Sequence, residues 1–380
     1  MSAIGYEIQR LIDRVRTAAA DRTPLRIRGG GSKDFYGNNG NTLQGNVLET
    51  TALRGVISYE PSELVVTVAA GTPLVELESL LAEHRQCLAF EPPHFSAGNC
   101  YATVGGMIAA GLAGPARASV GAVRDYVLGL QMVNGQCELL TFGGQVMKNV
   151  AGYDISRLMV GAMGTLGLLT QVSIKVMPMA PAEATLCFEL PQAVALEQLH
   201  RWAAQPLPLN ASCWVCDAGR ELLFVRLRGA HAAVESACRS MLTDQNGIRM
   251  DNTQAQADWQ LCRNQQLPFF SSPQTPDRAL WRLSVAQTAP PLELPWPQLV
   301  EWHGGLRWLW APPDAAPALR QAARVNGGSA TLFAASPARP ISDGDRFDLK
   351  NLGSLAIQRR LKERFDPQGI FNPGRLFDAW

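Results

Sequence analysis

Two short glycine-rich stretches of this 380-residue chain are the residues best suited to chemistry. The first, residues 28–33, reads RGGGSK and directly follows a predicted strand. Consecutive glycines let the backbone curl until successive N–H groups point into one concavity, which can bind phosphate oxygens without a side-chain charge. The stretch has neither the Walker A spacing nor the Rossmann fingerprint. By itself it predicts either a phosphate cradle or a tight surface turn.

The second stretch, residues 103–106, reads TVGG and is followed by the small-residue run AAGLAG at 109–114. A glycine pair permits close approach of the backbone to a ligand. The small residues after it leave room for a flat ring system. Close packing against another element is the alternative interpretation.

Two more stretches share this character. Residues 161–170 read GAMGTLGLLT, with glycines at every third position before a predicted strand. Near the C-terminus, residues 372–375 read NPGR. The chain therefore offers four places, far apart in sequence, that can contribute backbone or a cation to one ligand.

Short strands and one helix are predicted to position these stretches. Strands are expected at 25–28, 64–70 and 168–176, and a helix is expected after Thr72 as its cap, with Pro73 at the first helical position. Two further strands, at 126–133 and 137–141, flank the dipeptide Asn134-Gly135. That dipeptide is the strongest short hairpin signal, because both turn residues must tolerate a positive φ.

The character of the chain changes after about residue 178. Pro178 and Pro181 indicate a linker, and strands then alternate with helices from 186 to 333. This alternation predicts a small sheet with helices on one face. A last helix is expected at 352–364.

Composition excludes several classes of function. The net charge is +1 and no block of like charges occurs, which argues against a nucleic-acid partner. No run of about 18 apolar residues is present, and the amphipathic N-terminal segment lacks the apolar core of a secretory signal. The eight cysteines are spread thinly apart from the lone pair Cys213 and Cys216, and they form no cluster suited to an iron–sulfur centre. We expect a cytoplasmic protein.

Taken together and in this order, the four stretches identify a family. The chain resembles the vanillyl-alcohol-oxidase or p-cresol-methylhydroxylase type of flavoprotein over about residues 25–178 and 350–376. Segments 121–135, 152–170 and 365–375 resemble the branch that acts on D-2-hydroxy acids. The resemblance implies an α+β fold. Its FAD-binding domain of two α/β subdomains would span residues 1–178, an inserted α+β cap domain 179–345, and a C-terminal segment completing the FAD domain 346–380.

The resemblance also implies a role for each stretch. The first would cradle the pyrophosphate of FAD, the second would line the pyrophosphate and the flavin, and the third would lie against the adenine–ribose end. Arg375 would approach the flavin, where a cation stabilises negative charge on the reduced ring. The residues assigned to the cofactor in this way are Arg28, Gly29, Gly30, Gly31, Ser32, Lys33, Pro93, Thr103, Val104, Gly105, Gly106, Ala113, Gly114, Gly164, Thr165, Leu168 and Arg375.

The sequence departs from the family at two points. Covalent members attach the flavin through a histidine beside the first glycine stretch or a cysteine just before the second, but here Ser32 occupies the first position and Cys100 lies one residue too far out. We therefore expect non-covalent FAD. Hydroxy-acid-oxidising relatives carry clustered histidines that bind a metal and take a proton, whereas the five histidines here are scattered. We expect no metal site.

His94, just before the second stretch, is the one catalytic candidate. It could face the flavin, or it could be a structural loop histidine.

The resemblance implies a flavoprotein subunit of a complex that oxidises glycolate to glyoxylate. Its partners would be a second, related flavoprotein and an iron–sulfur subunit, and membrane association at the inner face would arise only through them. The missing histidine cluster suggests that the partner flavoprotein performs the oxidation. Two alternatives stay open: a self-sufficient oxidase of another small alcohol or 2-hydroxy acid, and a structural subunit without a cofactor.

Overall fold

The chain folds into two compact units in the computed structural model, which describes residues 3–38, 43–144, 153–271, 275–336, 346–348 and 352–377. The first unit comprises Met1–Leu112, Ala122–Pro178 and Leu349–Trp380, and the second comprises Ala113–Gly121 and Met179–Asp348. The fold is α+β. Gly152, part of one segment of the family resemblance, lies outside the described residues.

The first unit contains five helices and nine strands in its described part. They are α1 (Ala3–Asp21), β1 (Leu25–Arg28), β2 (Asn46–Glu49), β3 (Val56–Glu60), β4 (Val65–Ala69), α2 (Leu74–Glu83), β5 (Gln86–Cys87), α3 (Val104–Ala110), β6 (Val127–Val133), β7 (Leu139–Gly143), α5 (Ile155–Leu158), β8 (Leu168–Lys175), β9 (Met177–Pro178) and α11 (Leu352–Phe365).

Two sheets organise the first unit. Strands β1 and β2 pair in parallel, and an antiparallel sheet has the order β3-β4-β8-β6-β7. Strand β4, an interior strand of this sheet with sequence VVTVA, is buried along its whole length. Helix α1 is amphipathic and buries Leu11 and Val15 against Leu25, Leu48 and Phe371. This cluster fixes β1, and with it the start of the first glycine stretch.

The second unit contains six helices and eight strands in its described part. They are α4 (Arg117–Val120), β10 (Ala182–Glu189), α6 (Gln192–Ala203), β11 (Leu209–Asp217), β12 (Arg220–Gly229), α7 (His231–Asp244), β13 (Ile248–Arg249), α8 (Asn252–Arg263), α9 (Pro268–Ser271), β14 (Ala279–Ser284), β15 (Gln298–Glu301), β16 (Leu306–Ala311), α10 (Ala316–Val325) and β17 (Ser329–Ala334).

The second unit contains an internal structural duplication that the sequence pattern did not predict. Its eight strands form one sheet of order β13-β10-β12-β11-β15-β16-β14-β17. One half contains β10 to β13 and the other contains β14 to β17, and each half has the strand order of a ferredoxin-like fold. The halves join where β11 pairs antiparallel with β15. In the second half, residues 285–297 replace the first helix of the pattern. The strand–helix alternation was therefore predicted, but its symmetry was not.

Helices of the second unit cover both faces of its sheet, which differs from the sequence-based expectation of one face. Helices α6, α7 and α10 pack on the face that carries Leu186 and Leu309. Helix α8 contacts the opposite face, because the indole of Trp259 donates to Thr185 Oγ1 at 3.0 Å. This helix was missed because only Ala255, Trp259 and Cys262 are buried along it.

Two local expectations were wrong in detail. Helix α2 begins at Leu74 with Pro73 as its cap, since the Thr72 hydroxyl instead bonds the backbone of Gly55. The β6–β7 hairpin exists, but its turn spans 134–138 rather than two residues. Asn134 closes this wider turn by accepting from the amides of Gln136 and Glu138, and Cys137 takes the left-handed conformation.

A strained corner connects β15 and β16. Trp302 and His303 both have a positive φ, which costs roughly 1–2 kcal/mol per non-glycine residue. The indole of Trp302 donates to Gly114 O at 3.0 Å and lies within 4.4 Å of the Arg117 guanidinium. The ring of His303 contacts the hydroxyls of Ser119 and Ser212 at 2.9 and 3.0 Å. The corner thus holds segment 113–121 within the second unit.

Burial lowers the pKa of His303 to about 4. Between pH 6.5 and about 4 the unfolded chain binds a proton that the folded chain does not, so stability falls as the pH falls through this window. The pKa difference corresponds to a loss of about 3 kcal/mol in the free energy of unfolding. We expect His303→Gln to flatten this slope in urea titrations at several pH values, and the control is His231→Gln, at an exposed histidine. Equal slopes for His303→Gln and the parent chain would contradict this.

Candidate functional site

A pocket formed entirely by the first unit, here called the glycine pocket, brings the predicted glycine stretches together. It encloses about 770 Å³ of unfilled space, including its opening to solvent. Its described lining residues are Ile27, Arg28, Gly29, Gly30, Gly31, Ser32, Lys33, Asp34, Tyr36, Thr50, Ala70, Tyr101, Thr103, Gly105, Gly106, Ala109, Ala110, Met163, Gly164, Gly167, Leu169, Asn372 and Arg375.

The two glycine stretches meet backbone to backbone in this pocket. The amide of Tyr101 donates to Gly30 O at 3.0 Å, and a Cβ at position 30 would lie 2.2 Å from Tyr101 O. A Cβ at position 29 would lie 2.4 Å from Thr103 Oγ1. Because real Cβ atoms do not approach so closely, only glycine permits this contact at both positions.

Helix α3 carries the second stretch and begins in the pocket. Thr103 is its N-cap, and the Thr103 hydroxyl accepts from the amide of Gly106 at 3.2 Å. The amide of Gly105 donates to Ala70 O at 2.7 Å, and a Cβ at position 105 would lie 2.9 Å from that oxygen. Gly105 is therefore required for close packing of α3 on the end of β4.

Charge in the pocket is arranged around the first glycine stretch. The Arg28 guanidinium donates to Asp34 Oδ2 at 2.6 Å, and this hydrogen bond raises the pKa of Arg28 above its ordinary value. A Cβ at Gly31, which has φ +79°, would lie 2.2 Å from Arg28 Nη2, so the guanidinium covers this glycine. Lys33 Nζ lies 3.4 Å from both Ser32 Oγ and the carbonyl oxygen of His94.

The C-terminal segment returns to complete the pocket. The side chain of Asn372 accepts from the amide of Ile27 and donates to Met163 O, both at 2.7 Å. Arg375 Nη2 donates to the carbonyl oxygens of Lys33 and Tyr36, both at 3.0 Å. One short segment therefore ties together β1, the loop after the first glycine stretch and the turn that contains Gly164.

A buried ion pair anchors this return. Lys362 Nζ donates to Asp366 Oδ2 at 2.7 Å and to the carbonyl oxygens of Thr165 and Phe371, both at 2.8 Å. Asp366 also accepts from the amides of Ile370 and Phe371. Burial lowers the pKa of Lys362 below its ordinary value, although Asp366 opposes that change. All three ammonium protons are satisfied, as a buried charge requires.

Most of the site residues predicted from sequence line the glycine pocket, and several do not. Val104, Thr165 and Leu168 are buried beside the lining rather than in it, and Pro93 is also outside it. Ala113 and Gly114 belong to the second unit. Several lining residues had no sequence signal and are brought in by contacts remote in sequence: Ile27, Asp34, Tyr36, Thr50, Ala70 and Tyr101. Other lining residues belong to the predicted stretches but were not assigned to the cofactor one by one: Ala109, Ala110, Met163, Gly167, Leu169 and Asn372.

His94 does not line the glycine pocket. Its Nε2 atom lies 2.9 Å from Glu78 Oε2 of helix α2, and both side chains are half-buried. Its carbonyl oxygen faces Lys33 Nζ. The contribution of this residue to the pocket edge therefore comes from its backbone.

The pocket suits the flavin dinucleotide that the resemblance implies. Glycines supply backbone where a Cβ would fill the space, and the cationic groups Arg28, Lys33 and Arg375 lie on the lining. Backbone amides together with nearby cations are the donor set that binds a pyrophosphate. The residues present therefore fit the cofactor chemically.

Asn372 is the residue of the glycine pocket whose substitution we expect to lower stability strongly. Asn372→Ala leaves the Ile27 amide and the Met163 carbonyl buried without their partner, which should lower the free energy of unfolding by roughly 2–5 kcal/mol. Asn326→Ala is the control, because its amide makes one hydrogen bond at the end of a helix. Urea titrations in which both variants lose the same stability would contradict this role.

Comparison with known proteins assigns the chain to a family. Residues 6–143 match the family model described as "FAD binding domain". The chain is 42% identical to glycolate oxidase subunit GlcE of Escherichia coli over 97% of both chains. It is 33% identical to glycolate oxidase subunit GlcD of Bacillus subtilis over 46% of this chain and 36% of that protein. It is 34% identical to D-lactate dehydrogenase of Archaeoglobus fulgidus over 44% of this chain and 36% of that protein.

The fold also matches a solved structure. Alkyldihydroxyacetonephosphate synthase is 15% identical, with a TM-score of 0.64 over 96% of this chain and 75% of that chain. Within the described ranges, no helix is long and apolar enough to cross a membrane, and no group of three or more His, Cys, Asp or Glu could hold a metal ion. The identity to the Escherichia coli subunit extends over nearly the whole length of both proteins, so this chain belongs to the glycolate oxidase subunit GlcE family of FAD-dependent oxidoreductase subunits.

Proposed function

We propose that this chain binds FAD non-covalently in the glycine pocket and acts as one subunit of a complex that oxidises glycolate to glyoxylate. The observation that carries the proposal is the meeting of the two glycine stretches, Lys33 and the C-terminal return in one pocket of the first unit. The 42% identity to a glycolate oxidase subunit supports the substrate.

Each part of the pocket has a proposed task toward the cofactor. The amides of residues 29–32 and the Lys33 ammonium hold the pyrophosphate, and α3 supplies a close backbone surface beside it. Gly164 and Gly167 leave space at the adenosine end. Arg375 fixes the loop at residues 33–36 and adds positive charge to the lining. When bound, FAD would supply a ring that can accept electrons and pass them on.

Non-covalent attachment is supported by the residues near the glycine stretches. Ser32, at the position where a histidyl link would form, has no nucleophilic ring nitrogen. Cys100 is half-buried and does not line the described pocket. We propose that the hydrogen bonds and charge of the pocket alone retain the cofactor.

We propose that the hydroxy-acid chemistry takes place on a partner. Oxidation of a hydroxy acid needs a positioned base to take the hydroxyl proton. Within the described lining, the only carboxylate is Asp34, which already accepts from Arg26 and Arg28. His94 is engaged by Glu78. These side chains support a subunit that relays electrons or shapes the assembly.

The proposed partners are a second flavoprotein related to this chain and an iron–sulfur subunit. Similarity to the GlcD subunit over 46% of this chain supports a common origin for two flavoprotein subunits. We propose a cytoplasmic location, peripheral to the inner face of the membrane, with membrane attachment through the partners.

A visible spectrum of the purified chain tests the cofactor and the division of labour together. We expect a flavin spectrum that acid precipitation releases into the supernatant, and no bleaching by glycolate in the isolated chain. A colourless protein that also fails to bind added FAD would contradict the cofactor proposal. Bleaching by glycolate alone would favour a self-sufficient enzyme, and the search for its base would begin at His94.

Lys33 offers a sharper test of where the cofactor binds. Lys33→Met removes one cation from the pocket, and we expect it to weaken FAD binding by about tenfold or more, measured by flavin fluorescence on the stripped chain. Lys175→Met is the matched control, because this lysine of β8 lies outside the pocket. Equal affinities for the two variants would argue against the assigned site.

A further inference from the structure

A second charged pocket, here called the arginine pocket, lies beside the glycine pocket in the first unit. It encloses about 850 Å³, including its opening to solvent. Its charged lining consists of four arginines and two carboxylates: Arg10, Arg14, Arg26, Arg28, Asp34 and Glu49. Arg28 and Asp34 line both pockets, so the two spaces share one wall.

The carboxylates at the arginine pocket are one fewer than its four arginines, even with Glu7 counted, which pairs with Arg10 from outside the lining. Asp34 Oδ2 is shared between Arg28 Nε at 2.6 Å and Arg26 Nη2 at 3.0 Å. Arg14 Nη2 donates to the carbonyl oxygen of Val47 at 2.8 Å, and no carboxylate in the described part of the chain pairs with it. Positive charge is therefore in excess along this wall.

Arg26 adds a second indication. Its Nε atom is buried and has no hydrogen-bond partner among the described residues. A buried donor without an acceptor costs roughly 1–3 kcal/mol, and more when it carries charge. Because this atom is shielded from solvent, an anion in the pocket would satisfy it only after the guanidinium turned.

The chemistry of the lining selects the class of ligand. Guanidinium groups present a planar fork that matches phosphate and carboxylate oxygens, and a phosphoryl group offers three oxygens that several arginines can share. A concave wall with an excess of positive charge, partly shielded from water, strengthens the attraction to an anion. We propose that the arginine pocket binds a small phosphate-bearing anion with at least two negative charges, separate from the flavin.

The test is calorimetric titration of the flavin-loaded full chain with inorganic pyrophosphate at constant ionic strength. We expect Arg14→Met to weaken binding by about tenfold or more, since it removes a cation that lines only the arginine pocket. Arg16→Met is the control, because Arg16 lies on the same helix, pairs with Asp13 and does not line the pocket. We expect it to bind as the parent chain does.

A second variant, expected to bind pyrophosphate more tightly, tests the proposal even if Arg14→Met does not fold. Glu49→Gln removes a negative charge from the lining at an exposed position of β2. We expect this variant to bind pyrophosphate severalfold more tightly than the parent chain, an effect that misfolding does not produce.

Four results would overturn the proposal. They are no heat of binding in the parent chain, equal weakening by Arg14→Met and Arg16→Met, tighter binding of citrate than of pyrophosphate, and release of flavin as pyrophosphate binds. The last result would place the anion in the glycine pocket rather than beside it.

Discussion

The side chain of Asn372 joins the first strand of the chain to the turn that carries Gly164, and the glycine pocket depends on that link. Its amide spans from Ile27 N to Met163 O, with both hydrogen bonds at 2.7 Å. The buried Lys362–Asp366 pair holds the segment on which Asn372 lies. Three parts of the chain, separated by more than a hundred residues each, thus become one wall. A cofactor bound against this wall contacts all three at once.

The glycine stretches could be predicted from sequence because each is a local pattern with a local physical meaning. Consecutive glycines after a strand predict either a phosphate cradle or a tight surface turn, and the structure places Gly29, Gly30 and Gly31 in the pocket lining. The contacts that make glycine necessary there are not local. Tyr101 fixes Gly30, and Ala70 fixes Gly105, through distances that only the folded chain defines. For the same reason Ala70 and Tyr101 gave no sequence signal as lining residues.

The second unit shows a different limit of sequence reasoning. Alternation of strands and helices was visible, yet the duplication was not, because a loop replaces one helix in the second half. Segment 113–121 follows the second glycine stretch along the chain, and the family resemblance implied that Ala113 and Gly114 line the cofactor. In the structure this segment is held by Trp302 and His303 of the second unit. The role of Ala113 and Gly114 toward the cofactor stays a prediction, but the side-chain contacts that hold their segment are remote in sequence.

The charge pattern distinguishes two neighbouring environments in the first unit. In the glycine pocket the main donors are backbone amides. These groups are fixed in place, and they are neutral, so burying them does not require a full charge to lose its water. In the arginine pocket the donors are guanidinium groups in excess of their carboxylates. Arg28 and Asp34 form the boundary between the two pockets. The ion pair between them positions the glycine loop, and the Asp34 carboxylate offsets part of the positive charge near that loop.

Hydrogen–deuterium exchange of the flavin-stripped chain, measured with and without added FAD, tests the central claim most directly. The account predicts that FAD slows exchange chiefly in peptides covering residues 28–33, 103–110 and 163–167, because these segments form the walls of the glycine pocket. Unchanged exchange in all three segments under saturating FAD, or protection confined to residues 91–95 around His94, would contradict it.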